Sequence, residues 1–172
     1  MPGTELLWDT LAGAEHRLGD LVFPDPTPYR LEVASTPRYY ISASTRELDR
    51  GSKHVLFFGS AADRDLAYLL LNSSLPYWWW RCLDGGVTLP LRTLLSLPVP
   101  PSLTAASVAA AEPVLRRLEA SETSDVVTKL NAGRRNENVR RPRALVEAID
   151  AVYSPDMFAP SAAVPAPAGD IS

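Results

Sequence analysis

The sequence predicts an α+β fold, a small mixed sheet with packed helices, and three observations predict it. Two short runs rich in aromatic and branched residues, "RYYISAS" (38–44) and "HVLFF" (54–58), lie close together and read as strands. Segments on either side of them carry apolar residues at helical spacing. Strands and helices do not alternate, which argues against a parallel βαβ sheet.

From the N-terminus, Thr4 caps a helix through "ELLWDTLAGAEHRLGDLV", with Leu7, Leu11, Ala14 and Leu18 as its apolar stripe. "FPDPTP" (23–28) places three prolines in six residues and makes an extended connector. The two strands follow, joined by the polar "TRELDRGSK" as a hairpin or as neighbours. Ser60, with Asp63 three residues on, opens the next helix in the manner of a capping box, and Leu66, Leu69 and Leu70 form its apolar face. Pro76 interrupts that helix or begins a new turn at "YWWWRCL". Asp84-Gly85-Gly86 is a turn with freedom for positive φ. Prolines 98, 100 and 101 close that unit.

"TAASVAAAEPVLRRLEASE" is helical in composition, with Pro113 kinking it or starting a second helix. "VTKLNAGRRNENVRRPR" reads as a polar, basic connector and "RALVEAIDAVY" as a final amphipathic helix. From Ser154 the chain is rich in Pro, Ala and Ser and reads as a disordered tail. The resulting organisation is an N-terminal helix and connector (1–28), a core (29–103), a helical and basic segment (104–155) and a tail (156–172).

A 172-residue chain with 46% hydrophobic and 22% charged residues can build one core without metal or disulfides. Cys82 is alone, and His16 and His54 are far apart, so neither a disulfide nor a Cys/His metal cluster is encoded. The lone cysteine, the lack of a secretory-type N-terminus and the lack of an 18-residue apolar run predict a cytoplasmic protein without membrane contact. The net charge of −3 argues against a generally basic nucleic-acid coat protein. That total hides an asymmetry. Between residues 128 and 143, six cations (Lys129, Arg134, Arg135, Arg140, Arg141, Arg143) face the single anion Glu137, and local patches govern attraction to phosphate.

Catalytic chemistry is not encoded in any motif. "DPTPY" (25–29) approaches the Asn/Asp-Pro-Pro-Tyr/Phe loop of an amino-methyltransferase, but Thr27 separates the prolines and no Gly-rich turn follows a strand. "FFGSAADRD" lacks the Gly-Lys-Ser/Thr ending of a phosphate loop. Asp63 and Asp65 splay apart at a helix start, where the dipole favours them. His54 has no nucleophile named beside it. The expectation is a chain that is not an enzyme, with no cofactor.

The ordered set "DLAYLLLNSSLPYWWWRCLDGGVTLPLRTLLSLPVPP" (65–101) resembles the target-recognition domains of DNA restriction-modification systems. These include type I specificity subunits and the C-terminal specificity domain of TaqI-like and type IIG adenine methyltransferases. Leu71-Asn72-Ser73 matches the family's helix end, Tyr77 to Trp80 its aromatic continuation, Gly85 and Gly86 its loop, and Leu97-Pro98-Val99-Pro100 its close. The two strands upstream and "KLNAGRRNENVRRPRALVEAIDAVY" downstream extend the resemblance to about residues 30–155. Pro76 departs from the pattern, and the methyltransferase catalytic half is missing. The resemblance implies a non-catalytic reading module, a split subunit or a remnant, partnered with double-stranded DNA and a methyltransferase catalytic subunit.

The residue types suit that implication. Sequence readers hold phosphates with Arg and Lys and read base edges with Arg, Asn, Gln and Ser/Thr. Arg134 and Arg135 suit guanine or phosphate, Asn136 and Asn138 suit adenine, and Arg140 adds charge; the same run also reads as a solvated surface loop. Arg46, Arg50 and Lys53 form a second candidate surface, partly neutralised by Glu47 and Asp49. Arg81 and Thr88 flank Gly85 and Gly86, where a glycine loop admits phosphate to the backbone or is a simple tight turn. The alternative role is docking on a methyltransferase partner without reading DNA, through the helices at 104–121 and 143–153. Successive helical side chains turn about 100° apart, so Trp78, Trp79 and Trp80 cannot share one surface. At least one is expected in the core against Leu69 and Leu70 and another at the rim, as the foundation of the Asp84-Gly85-Gly86 loop.

Overall fold

The computed structural model describes residues 4–84 and 86–153. Gly85 and the tail from 154, where disorder is expected, lie outside the described residues. Helix α1 (Thr4–Ala12) opens the fold. The single helix expected through residue 22 is broken. Arg17 donates to the α1 carbonyls of Leu11 and Ala12, each at 3.0 Å, and so satisfies acceptors that a continuing helix would otherwise take. A short helix α2 (Leu18–Leu21) follows. The apolar stripe persists across the break, with Leu7, Leu11, Ala14 and Leu18 all buried.

Strands β1 (Val22–Phe23), β2 (Arg30–Ala34), β3 (Ala43–Ser44) and β4 (Lys53–Phe58) form an antiparallel sheet in the order β1-β4-β2-β3. The expected "HVLFF" strand is β4. "RYYISAS" supplies only β3; its first half is an irregular loop behind Pro37, which has no N–H to offer a ladder. The sequence reading overlooks β2, which pairs along its length with Lys53–Phe57. Its charged Arg30 and Glu32 disguise a buried strand. Glu32 is buried because Arg30, Lys53 Nζ at 2.9 Å and the Leu48 N–H at 2.8 Å all meet its carboxylate.

Helices α3 (Ala61–Leu71), α4 (Leu75–Leu83), α5 (Leu91–Leu95), α6 (Ala105–Ala110), α7 (Glu112–Ser121) and α8 (Arg143–Tyr153) complete the α+β architecture with a hairpin between α7 and α8. Ser60 caps α3 as expected, its Oγ accepting the Asp63 N–H at 3.1 Å. Pro76 and Pro113 each start a new helix, since a proline in the first turn removes an N–H that has no helical partner anyway. Among the described residues, no helix is long and apolar enough to cross a membrane.

The tryptophan run packs into and along the core, as its helical divergence requires. Trp79 and Trp80 are buried, and Trp80 shares one core cluster with Leu69 and Leu70. Trp78 is partly buried, and Trp8 of α1 stacks on Trp79 with centroids 5.2 Å apart. The Trp79 indole N–H donates to Ser96 Oγ at 3.2 Å, which gives this apolar ring its polar partner. The Asn72-Ser73-Ser74 stretch that follows α3 is a junction. Asn72 Oδ1 accepts from the Ala43 N–H of β3 at 3.2 Å and from Arg141 Nε at 3.0 Å, while Ser74 Oγ donates to Asp150 of α8 at 2.6 Å.

The expected connector at 127–143 is where sequence and structure differ most. β5 (Val126–Asn131) and β6 (Arg134–Val139) pair antiparallel as a separate two-stranded ribbon. Ala132 and Gly133 close it with φ of +50° and +77°, the positive pair that matches the twist of a two-residue hairpin. The usual Asn-Gly signal is missing, and both strands are too polar to show an apolar alternation, so the hairpin is disguised in the sequence.

Candidate nucleic-acid interface

Alternation along paired strands gives the ribbon two faces. One carries Val127, Lys129 and Asn131 of β5 opposite Asn138, Asn136 and Arg134 of β6. Lys129, Asn131 and Arg134 are exposed, Asn136 and Asn138 are half-buried, and this face holds no carboxylate. The opposite face carries Thr128, Leu130, Arg135 and Glu137. There Arg135 lies 3.8 Å from Asp49 and 3.9 Å from Glu137, which cancels much of its charge. The first face, on an element slim enough for a major groove, therefore combines cations for phosphate or guanine with Asn131 and Asn136, carboxamides of the type that matches an adenine edge. The Asn138 oxygen is held internally by Arg50.

The loop before β4 folds along the edge of β6. The Glu137 N–H donates to the Asp49 carbonyl at 3.0 Å, and the Asp49 N–H donates to Glu137 Oε2 at 3.0 Å. Arg46, Arg50 and Lys53 thus come beside the ribbon, but each has internal partners. Arg46 lies 3.3 Å from Glu137, and Lys53 is held by Glu32 and by the Leu48 carbonyl at 2.8 Å. Arg50 is buried and donates to the carbonyls of Ser52 (2.9 Å) and Glu137 (3.1 Å), to the Asn138 carboxamide oxygen and to Thr36 Oγ1 (2.9 Å). Burial holds its guanidinium below the usual value, with Tyr40 acting in the other direction. An open cleft of about 460 Å³ at this edge is lined by Arg46, Arg50 and Lys53 against Glu47, Asp49 and Glu137. Its charges balance, so the loop braces the ribbon rather than adding a second cationic surface.

Through Arg50, Thr36 at the start of the segment 36–40 is tied to Asn138. Tyr40 is half-buried there; burial pushes its phenol up, and the charges of Arg140 and Arg50 offset part of that rise. Arg140 itself is exposed at the end of β6. On the other flank of the segment, the Tyr77 hydroxyl of α4 donates to the Arg38 carbonyl at 3.2 Å. Arg81, one helical turn beyond Tyr77, lies over the Trp80 ring at 5.3 Å and donates to the Gly86 carbonyl at 3.3 Å. The Gly86 N–H is taken by Asp84 Oδ1 at 2.7 Å, and Gly86 and Thr88 are exposed. The Leu89 N–H donates to Ser35 at 2.8 Å, and the His54 ring holds the Leu89 carbonyl at 2.8 Å. Asn138 on the ribbon, through Arg50, and Leu89 and Tyr77 on the other flank therefore border one intervening segment, 35–40.

Four residues enter the site that sequence reasoning did not assign. Lys129 and Asn131 belong to the carboxylate-free face, and the period-two spacing on both sides of Ala132-Gly133 is the signal that marks them. Arg38 and Tyr39 stand exposed in the intervening segment, which had been expected inside a strand. Arg141, counted among the basic residues, has instead a wholly buried side chain. No family model, curated protein or solved structure matches this chain.

Proposed function

We propose that this chain is a DNA sequence-recognition module of a DNA modification system, non-catalytic by itself and working with an adenine methyltransferase or restriction subunit. The observation that carries the proposal is the ribbon face of Lys129, Asn131, Arg134, Asn136 and Asn138, free of carboxylates on a chain of net charge −3. The resemblance of residues 65–101 to target-recognition domains gives that face a context. Fluorescence anisotropy with a duplex library, with and without a methyltransferase partner, tests it. Sequence-selective binding that weakens steeply with salt supports the proposal, and a lack of binding in both arms overturns it.

Leu130 favours a second reading, docking onto another subunit without contact to DNA. It is 76% exposed near the ribbon tip, on the face opposite the carboxamides. Loss of co-purification in Leu130→Asp, alongside an absence of DNA binding in the wild type, would select that reading.

A further inference from the structure

We propose that Arg50 makes Asn138 a donor-only reader that selects guanine, an inference that rests on the DNA-recognition reading above. A guanidinium carries donors and no acceptor, so the carboxamide atom that Arg50 meets on Asn138 has to be the oxygen. The same guanidinium donates to the Ser52 carbonyl at 2.9 Å, the Glu137 carbonyl at 3.1 Å and Thr36 Oγ1 at 2.9 Å. Arg50 is 6% exposed, and turning away from Asn138 would strand those three acceptors. Asn138 itself is half-buried, and among the described residues its amide nitrogen meets no acceptor. The buried side-chain polar atoms without a partner are Arg46 Nε and Trp80 Nε1 among those residues, so the Asn138 nitrogen keeps its contact with solvent.

The two asparagines of β6 differ in what they can offer. Asn136 lies two residues before Asn138 on the same face, and its whole carboxamide is unengaged among the described residues. It can present acceptor and donor together, the pair that matches adenine N6 and N7. Asn138 can present N–H alone. In the major groove guanine shows two acceptors, N7 and O6; thymine shows one, O4; and cytosine shows the N4 donor. An N–H without its oxygen therefore fits guanine, loses the second bond at adenine and meets a donor at cytosine. Two identical side chains on one strand thus take different bases. The difference is decided by a buried arginine, a positioning residue that acts through Asn138.

The test titrates the full chain, by anisotropy, against duplexes in which each position of its preferred site carries each base pair in turn. At one position the wild type should favour guanine on the order of tenfold, and Asn138→Ala should abolish that preference alone. Asn138→Asp keeps a partner for Arg50 but offers only acceptors, so the preference there should move to cytosine. Arg50→Met frees the carboxamide oxygen, and the preference should move to adenine. A merely structural role for Arg50 would lower affinity for all duplexes alike and shift no preference. Circular dichroism checks the fold of each variant, and Asn138→Asp decides by itself if Arg50→Met unfolds. An Asn138-dependent preference for any base other than guanine, a preference that stays on guanine in Asn138→Asp, or Asn138→Ala without effect at any position would overturn the inference and leave the DNA-recognition reading standing. Failure of the wild type to bind any duplex would overturn both.

Discussion

Arg141 Nη2 meets Glu122 Oε1 at 3.1 Å, and this pair joins the ribbon to the main sheet. Glu122 also accepts from Ser44 Oγ of β3 at 2.7 Å, the Thr45 N–H at 3.0 Å and the Tyr68 hydroxyl. Arg141 reaches in addition Asp125 at 3.1 Å, the Ala43 carbonyl at 3.0 Å and Asn72 at 3.0 Å. A guanidinium with no exposed surface survives here because its donors are spread over carboxylates, carbonyls and a carboxamide. Removing it leaves two buried carboxylates without their cation. Arg141→Met should therefore cost about 3–5 kcal/mol, measured by urea unfolding, and Arg141→Lys should recover little, because an ammonium cannot span these partners.

The pH dependence of stability follows from the same cluster. Burial raises the Glu122 carboxyl, but the hydrogen bonds from Tyr68, Ser44 and Thr45 and the charge of Arg141 outweigh it and hold the group below its ordinary value. A depressed folded-state value adds stability above the unfolded carboxylate value of about 4.3 and loses it as pH falls through the folded one. The gap in melting temperature between wild type and Glu122→Gln should be widest near neutrality and should narrow in acid. Calorimetry from acid to neutral pH reads it, and a gap that stays constant contradicts the assignment.

DNA binding should divide the ribbon residues by role. Lys129→Ala and Arg134→Ala should each lower the salt slope of binding by about 1, because each removes a phosphate contact. Arg135→Ala should change it less, since Asp49 and Glu137 already neutralise that side chain. Asn136→Ala should leave the slope unchanged and relax the preferred sequence by about 1–3 kcal/mol at one position. Titrations at several salt concentrations against preferred and scrambled duplexes separate these effects.

The turn of the ribbon offers a gain rather than a loss. Ala132 sits at φ +50°, a region an L-alanine side chain enters with strain, whereas asparagine tolerates it. Ala132→Asn should stabilise the hairpin by about 0.5–1 kcal/mol, and Gly133→Ala should destabilise it by a similar amount or more. Amide exchange of the β5 and β6 protons reports both, with opposite signs.

Much of the fold was legible in the residues. The apolar stripe of Leu7, Leu11 and Leu18, the Ser60 cap, the proline starts of α4 and α7, the "HVLFF" strand and the final helix all depend on local spacing, and local spacing is printed in the chain. The three tryptophans likewise had to diverge, because helical geometry turns each side chain away from the last. The basic, asparagine-rich composition of 129–140 was also there to read.

Tertiary structure decided what those residues do. Glu32 becomes a buried strand residue only because Lys53 arrives from the paired strand to join Arg30 in neutralising it. Arg141 looks identical in sequence to Arg140, yet one is sealed against Glu122 and Asp125 while the other faces solvent. Asn136 and Asn138 share a face with Lys129 and Asn131 only because a two-residue turn fixes the register of β5 on β6. Ion pairing over tens of residues and strand register are non-local quantities, so the sequence could name the cations and carboxamides but not which of them a ligand meets.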